Sequence, residues 1–148
     1  MKLTYHNRII LVLTLCLTAL SASAQKKATI YAFGFAGSFT DSVVYITDVQ
    51  RIDSASLAKK TMFLIDRSKY SKQLKDYMET SLQQPRRTCA FFYDTKRQKV
   101  EKTFAKMKKR YLKDKTLLVK FIGTDQFTFK AVKDTGERTV EVTSGSDN

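Results

Sequence analysis

Few side chains of this sequence are suited to nucleophilic, redox or metal chemistry. The 148 residues include one histidine, His6, and two cysteines, Cys16 and Cys89. His6 and Cys16 both fall in residues 1–24, which have the features of a cleaved export signal. Without them the chain has no histidine for a Ser-His-Asp or Cys-His arrangement and no second thiolate for a zinc cluster or a CxxC redox pair. The sequence therefore predicts no metal site and no cofactor.

Three carboxylates are the densest group that remains for acid–base catalysis. Asp41, Asp48 and Asp53 lie on and after a predicted strand. The spacing of seven between Asp41 and Asp48 is odd, so on an unbroken strand their side chains face opposite sides. A small hydrolase or lyase that used these acids with a lysine would need a bulge or loop to bring them together. Roles in turns and at strand ends explain the three acids more simply.

A basic segment is the stronger candidate for a functional site. Residues 96–115 contain ten Lys or Arg and only two acids, Glu101 and Asp114, a local charge of +8. Such a surface attracts polyanions and steers their approach. The alternative interpretation is a solvated helix face that keeps the protein soluble. The predicted anion-binding residues are Lys99, Lys102, Lys106, Lys109, Arg110 and Lys113.

The predicted location of the protein limits which anionic partners it could meet. In an exported protein the available polyanions are lipopolysaccharide phosphates, acidic polysaccharide, anionic lipid and extracellular nucleic acid. Recognition of nucleic acid needs aromatic rings exposed beside basic residues. Phe127 and Phe129 share one face of a predicted strand, with Lys120 and Lys130 nearby in the sequence. This pair is weak evidence for binding of nucleic acid. The expected partner is therefore an anionic envelope polymer or an envelope protein.

The first 24 residues are typical of an export signal. Lys2 and Arg8 give a positive start, residues 9–20 form an apolar run, and Ala22-Ser23-Ala24 supplies the small-x-small pattern of a cleavage site. The run is shorter than the roughly 20 apolar residues of a membrane-spanning helix. An uncleaved anchor or a buried helix are the alternatives. Cleavage after Ala24 predicts an exported protein, periplasmic or secreted, with no transmembrane span.

Cleavage would also change the inventory of charges and thiols. Loss of Lys2 and Arg8 from the 27 basic residues leaves 25 against 14 acids, a net charge of +11. A single cysteine forms no internal disulfide, so the fold must be held by its core. Cys89 opens an apolar run, residues 89–93, and is predicted to be a buried small hydrophobe. A reactive or intermolecular thiol is the alternative.

The elements that must position these residues follow from hydrophobic periodicity. Apolar side chains recur at helical spacing from Tyr70 to Leu82 and again from Val100 to Tyr111. Pro85 prevents continuation of the first helix, and Thr95 with Gln98 has the pattern of a capping box before the second. Strands are predicted over residues 29–35, 42–48, 87–93, 115–122 and 126–132.

This order of elements, β-β-α-β-α-β-β, predicts the fold class. The two strand–helix–strand units favour parallel pairing, and the flanking hairpins make the sheet mixed. Residues 25–132 are therefore expected to form a single α/β (α+β) domain, a two-layer or three-layer sandwich with a mixed β-sheet. In residues 133–148, the segment 138–143 is a candidate edge strand, and residues 144–148 are expected to be a disordered tail.

Several stretches also carry a resemblance to known proteins. Besides the Ala24-Gln25 processing site, they are FAGSFTDSVVYITDVQRIDSA, YSKQLKDYMETSL and RTCAFFYDTKRQKVEKTFAKMKKRYLKDKTLLVKFIG. Together they resemble small uncharacterised exported proteins of Bacteroidetes, over most of the chain between residues 24 and 132. The resemblance implies export from a Gram-negative cell. It implies no activity and no site residues.

These observations favour a non-enzymatic, exported protein of the cell envelope that binds an anionic partner through its basic helix face. A carboxylate-dependent hydrolase or lyase is the first alternative. A subunit of a larger envelope assembly is the second, and it predicts an apolar patch exposed on the isolated domain. The sequence leaves the oligomeric state open.

Overall fold

The computed structural model describes residues 25–133, and its elements confirm the predicted α/β class with one mixed sheet and two helices. The predicted export signal, the candidate edge strand over 138–143 and the tail lie outside the described residues. The elements are β1 Gln25–Gly37, β2 Val43–Thr47, β3 Gln50–Ala58, α1 Arg67–Thr80, β4 Thr88–Asp94, α2 Arg97–Lys113 and β5 Leu118–Ile122.

Strand β1 is the centre of the sheet and is paired along both of its edges. One edge pairs with β2 and then with β3, and the other pairs with β4, all antiparallel. Tyr31 therefore faces Arg51 of β3 on one side and Asp94 of β4 on the other. Strand β5 pairs in parallel with β2, so the sheet is mixed, as the two strand–helix–strand units predict.

The two faces of the sheet are covered by different helices, which makes the domain a three-layer sandwich. Side chains of a strand alternate between faces. Ile30 and Ala32 of β1 accordingly belong to a cluster that contains the buried residues of α1. Phe33, which directly follows Ala32 and so lies on the opposite face, belongs to a second cluster with Val100 of α2. A single strand thus supplies both hydrophobic cores.

Helix α1 lies close to the sheet because β1 has a glycine beneath it. The predicted apolar stripe is confirmed, with Tyr70, Leu74 and Met78 buried. A Cβ atom placed on Gly34 would lie 2.6 Å from Leu74 Cδ2 and 3.0 Å from Phe129 Cζ. The first of these contacts is shorter than real side chains make and the second is unusually tight, so the absence of a side chain at this position allows the helix to pack where it does.

A buried threonine marks the junction between β2 and β3. Thr47 is completely buried, and its Oγ1 accepts a hydrogen bond of 2.8 Å from the backbone N–H of Gly34. The same hydroxyl donates to the carbonyl of Asp48 at 3.1 Å. The N–H of Asp48 then turns to the carbonyl of Ile122 in β5 at 3.0 Å. The Thr47 side chain therefore accepts the Gly34 N–H of β1 at the point where the strand paired with β1 changes from β2 to β3.

Residues 126–132 differ from their prediction as a strand, since no strand of the described region pairs with them. Their backbone is instead held by two side-chain amides. Gln50 donates to the carbonyl of Phe127 at 2.9 Å and accepts from the N–H of Phe129 at 2.8 Å. Gln73 makes the same pair of bonds, at 2.9 and 2.8 Å, with the carbonyl and N–H of Lys130. The alternation reflects burial of the two phenylalanines against α1 and the sheet.

Helix α2 confirms the predicted stripe but not the predicted cap. Val100, Phe104 and Met107 pack on the second cluster, and the Tyr111 ring lies 4.9 Å from that of Phe35. The helix begins at Arg97 after Lys96, and no side chain makes a capping hydrogen bond there. Asp94, at the end of β4, accepts the Lys96 N–H at 2.8 Å and turns the chain instead of the predicted Thr95 and Gln98 pair.

Candidate anion-binding face of helix α2

The structure places every predicted anion-binding residue on α2 with its side chain exposed. The helix turns by about 100° per residue, so these six side chains fall within roughly 100° of arc, on its outer face and on the flank towards β4. From the first to the last of them the helix rises by roughly 21 Å. They form a continuous surface, here called the basic stripe: Lys99, Lys102, Lys106, Lys109, Arg110 and Lys113.

Most cations of the basic stripe have no acidic partner among residues 25–133. Lys99 is the exception, with its Nζ 3.7 Å from Asp94 Oδ2. Glu101, the acid within the helix, is bound by Arg97 outside the stripe at 2.6 Å. Asp114 follows the last turn, and hydrogen bonds from the hydroxyl and N–H of Thr116 lower the pKa of its carboxyl. Five cations therefore present their charge to solvent.

This arrangement suits recognition of an extended anion rather than catalysis. Long, exposed Lys and Arg side chains attract phosphate, sulfate or carboxylate groups, and salt screens that attraction. The last-turn position of Arg110 and Lys113 also complements the negative end of the helix dipole. Some of the local positive potential is thereby offset by the helix itself, and most of the charge on the outer face remains available.

The two arginines after Pro85 separate into different environments. Arg86 is exposed. The side chain of Arg87 is only 2% exposed; its guanidinium donates to Asp41 Oδ2 at 2.8 Å and to the carbonyl of Val43 at 2.7 Å. It also lies 4.8 Å from the centre of the Tyr45 ring. Arg87 is therefore a structural cation that fixes the start of β2, and only Arg86 is free to extend the basic surface.

The structure does not bring the three carboxylates into one site. Asp41 is held by Arg87 before β2, and Asp48 is exposed at the end of that strand, which alone spans roughly 16 Å. Asp53 lies further along, in β3. A hydrogen bond from the Thr29 hydroxyl, followed by one from Arg51, lowers the pKa of Asp53, the opposite of what a general acid at neutral pH needs.

Metal-ligating and thiol groups are equally dispersed in the described part of the chain. Within residues 25–133 no three His, Cys, Asp or Glu side chains lie together as metal ligands would. Cys89 is half-buried, and burial raises the pKa of its thiol to about 11. This environment agrees with the predicted small hydrophobe rather than with a reactive thiolate.

The aromatic residues near the C-terminal end of the described chain are packed rather than presented. The Phe127 ring lies 4.9 Å from that of Tyr77, and the Phe129 ring lies 4.9 Å from that of Phe91. Phe129 is buried. The pair predicted to share a strand face therefore belongs to the core beneath α1 and offers no stacking platform beside Lys120 and Lys130.

An apolar cavity beside the C-terminal half of α2 was not predicted from the sequence. It has a volume of about 390 Å³ and is lined chiefly by apolar atoms. Its wall includes Phe39, whose side chain is 100% exposed in the β1–β2 loop. The one available signal was an aromatic residue within the otherwise turn-forming Gly37-Ser38-Phe39-Thr40-Asp41. Its lining includes Phe35, Phe39, Val44, Thr88, Tyr111 and Leu117.

Comparison with protein-family models, with curated protein sequences and with solved structures finds no match to this chain. Neither of the two helices among residues 25–133 has the length and apolar character needed to cross a bilayer.

Proposed function

We propose that this protein is an exported, non-enzymatic component of the cell envelope that binds an anionic partner through the basic stripe of α2. The observation that carries the proposal is the concentration of exposed cations on one side of one helix. Five of the six make no ion pair with an acid in residues 25–133. Export, to the periplasm or the medium, is supported by the signal-like residues 1–24.

Charge on a helix face also serves solubility, and the distribution of ion pairs separates the two roles. On α1 the exposed lysines alternate with acids, as in the pairs Lys72–Asp76 at 2.7 Å and Lys75–Glu79 at 3.9 Å. A solvated helix face is commonly laced with such pairs spaced four residues apart. On α2 the positions four residues before and after Lys106 are occupied by two further cations, Lys102 and Arg110. Mutual repulsion along α2 costs stability that an anionic partner would offset.

The test measures binding of residues 25–148 to lipopolysaccharide, to an acidic polysaccharide and to nucleic acid at low and high salt. We expect binding to an envelope polyanion that weakens as salt rises. The fourfold variant Lys102→Gln, Lys106→Gln, Lys109→Gln and Lys113→Gln should bind at least about tenfold more weakly, because each lost contact removes some of the screened attraction.

A matched control removes the same amount of charge elsewhere. Lys26, Lys59, Lys60 and Lys133 are all exposed and lie outside α2. Their replacement by glutamine should leave binding close to that of the unaltered protein. Equal losses in the two fourfold variants would show that only net charge matters. Binding that does not respond to salt, or no binding to any of the three polymers, would contradict the proposal.

A second candidate function, assembly with other envelope proteins, is favoured by exposed apolar side chains. Leu112, Leu118 and Phe121 are 41–55% exposed near the end of α2 and along β5, and Phe39 is fully exposed. Surface patches of this kind often mark interfaces between proteins. Sedimentation of the purified protein over a range of concentrations distinguishes self-association from a monomer that awaits another ligand.

A further inference from the structure

We propose that the ligand of this protein is an anionic amphiphile, whose apolar chain enters the cavity beside α2 while its charged head contacts the basic residues at the cavity mouth. The inference rests on the proposed function, since it names the chemical class of the anionic partner. It adds an apolar subsite that a purely polar polyanion would not use.

The shape and lining of the cavity favour an apolar ligand. Its volume of about 390 Å³ falls within the range of roughly 300–1,000 Å³ common for small-molecule sites. Phe35 and Val44 form its floor on the sheet, and Tyr111 and Leu117 form the wall on the side of α2. Apolar atoms dominate this lining, so an alkyl chain gains more by entering it than a sugar or phosphate would.

One helix is too narrow to cover this face of the sheet. The four strand positions span roughly 19 Å across, whereas a helix with its side chains is about 10–12 Å wide. The other face is covered by α1 together with residues 126–132. On the α2 face no second segment of the described chain plays that part, and the cavity is the space left beside the helix. An apolar ligand would complete this layer.

Exposed cations close in the chain to cavity residues would complement an anionic head group. Arg110 precedes the cavity residue Tyr111 on the flank of α2 that faces β4. Arg86, also exposed, lies two residues before the cavity residue Thr88. The acid in the same loop as Phe39, Asp41, is already bound by Arg87. Two exposed cations thus lie within two residues of cavity residues in the chain, and this combination suits a negatively charged head group on an apolar chain.

The exposure of Phe39 is explained by the same ligand. A phenylalanine that is 100% exposed at the tip of a loop gains nothing from the fold itself. Because its side chain already forms part of the cavity rim, a small movement of the loop would lay the ring over a bound alkyl chain. The ring would then bury much of its surface, which favours the bound state.

The experiment uses the absence of tryptophan from the chain. Phe39→Trp introduces a single fluorescent reporter at the cavity rim. Dodecyl phosphate, below its micelle concentration, should shift the emission to the blue in a saturable manner. Butyl phosphate should cause no shift, and the uncharged dodecyl maltoside should bind at least severalfold more weakly. Phe63→Trp is the matched control, because Phe63 is 69% exposed in the β3–α1 loop and does not line the cavity.

Two further variants separate this inference from the proposed function. Leu117→Glu, made in the reporter protein, places a charge in the cavity wall and should weaken dodecyl phosphate binding by about tenfold or more. Salt-sensitive binding of the envelope polyanion should be unchanged in it. Arg110→Gln should weaken both kinds of binding. Circular dichroism of each variant establishes that the fold is retained.

Several outcomes would overturn the inference. Equal binding of dodecyl phosphate and dodecyl maltoside would show that the charged head group makes no favourable contact with the protein. A shift that depends on protein concentration alone would identify a second copy of the chain as the occupant. No shift with dodecyl phosphate, combined with intact salt-sensitive polyanion binding, would overturn the amphiphile and leave the proposed function standing. Failure of both kinds of binding would overturn both.

Discussion

The hydroxyl of Thr47 offers the sharpest test of how β1 is held between its neighbours. We expect Thr47→Val to destabilise the protein by about 1–3 kcal/mol, the cost of leaving one buried polar group without its partner. Valine has nearly the same shape as threonine, so no cavity forms. Its strand propensity is high, so backbone preference does not add to the loss. What the change removes is the acceptor of the Gly34 N–H, which is buried and 2.8 Å from Thr47 Oγ1.

The control for this experiment is Thr47→Ser. Serine keeps the hydroxyl and loses one buried methyl group, which costs about 0.8 kcal/mol by transfer alone. Urea denaturation followed by circular dichroism gives the free energy of unfolding of both variants. For a domain of this size each 1 kcal/mol lowers the melting temperature by roughly 4–8 °C. Amide hydrogen exchange gives a second readout, because the Gly34 amide should lose protection in the valine variant and keep it in the serine variant.

The reasoning would be refuted by a valine variant as stable as the original protein. It would equally be refuted by a Gly34 amide that exchanges at the same slow rate in both variants. Either result would mean that the β2–β3 junction rearranges to give that N–H another acceptor. A loss confined to the serine variant would show that the methyl group, rather than the hydrogen bond, stabilises this position.

Three other predictions follow from the same contacts. Cys89 should react slowly with iodoacetamide at pH 8, and the rate should rise about tenfold per pH unit up to the pKa of the thiol at about 11. Because the folded protein favours the protonated thiol, the free energy of unfolding should also fall between about pH 9 and 11. Fast alkylation at pH 8 would contradict this. Gln50→Leu should lower the free energy of unfolding in urea by about 1–3 kcal/mol. It should also speed hydrogen exchange of the Phe129 amide, which donates to the Gln50 side chain at 2.8 Å. Unchanged exchange would contradict the assigned bond. Gly34→Ala should cost about 1–3 kcal/mol because the new methyl group meets Leu74 Cδ2, and a neutral result would show that α1 moves away freely.

The fold class was predictable because it depends on which residues are apolar and how they are spaced. The stripe from Val100 to Tyr111 and the continuous apolar run of β4 each indicate residues that face the core. The structure buries Val100 and Phe91, and it leaves the other members of both sets partly buried. Residues 126–132 show the limit of such patterns. Their alternation correctly indicates that Phe127 and Phe129 face the core. It carries no information on whether the backbone partner is a strand or, as here, a pair of side-chain amides.

The candidate site divides in the same way. The basic stripe follows from helical periodicity, since six cations at fixed spacing on a predicted helix must share a side of it. The burial of Arg87 does not follow, because it depends on Asp41 and Val43, which are more than forty residues away in the chain. The cavity beside α2 also required the structure. Its walls come from three strands, two loops and one helix, and only the relative placement of these elements creates the space.

The central position of β1 has a consequence for the order in which the protein folds. Its partner β2 follows closely in the chain, but pairing of Tyr31 with Asp94 of β4 joins residues that most of the domain's sequence separates. Closing so long a loop costs entropy before any contact repays it, and domains rich in distant pairings fold slowly. Until β4 arrives, one edge of β1 is unpaired, and an unpaired apolar strand is a template for association with other chains. Partly synthesised or truncated chains that end before Thr88 should therefore aggregate, and the rate of folding should depend on how soon β4 reaches β1.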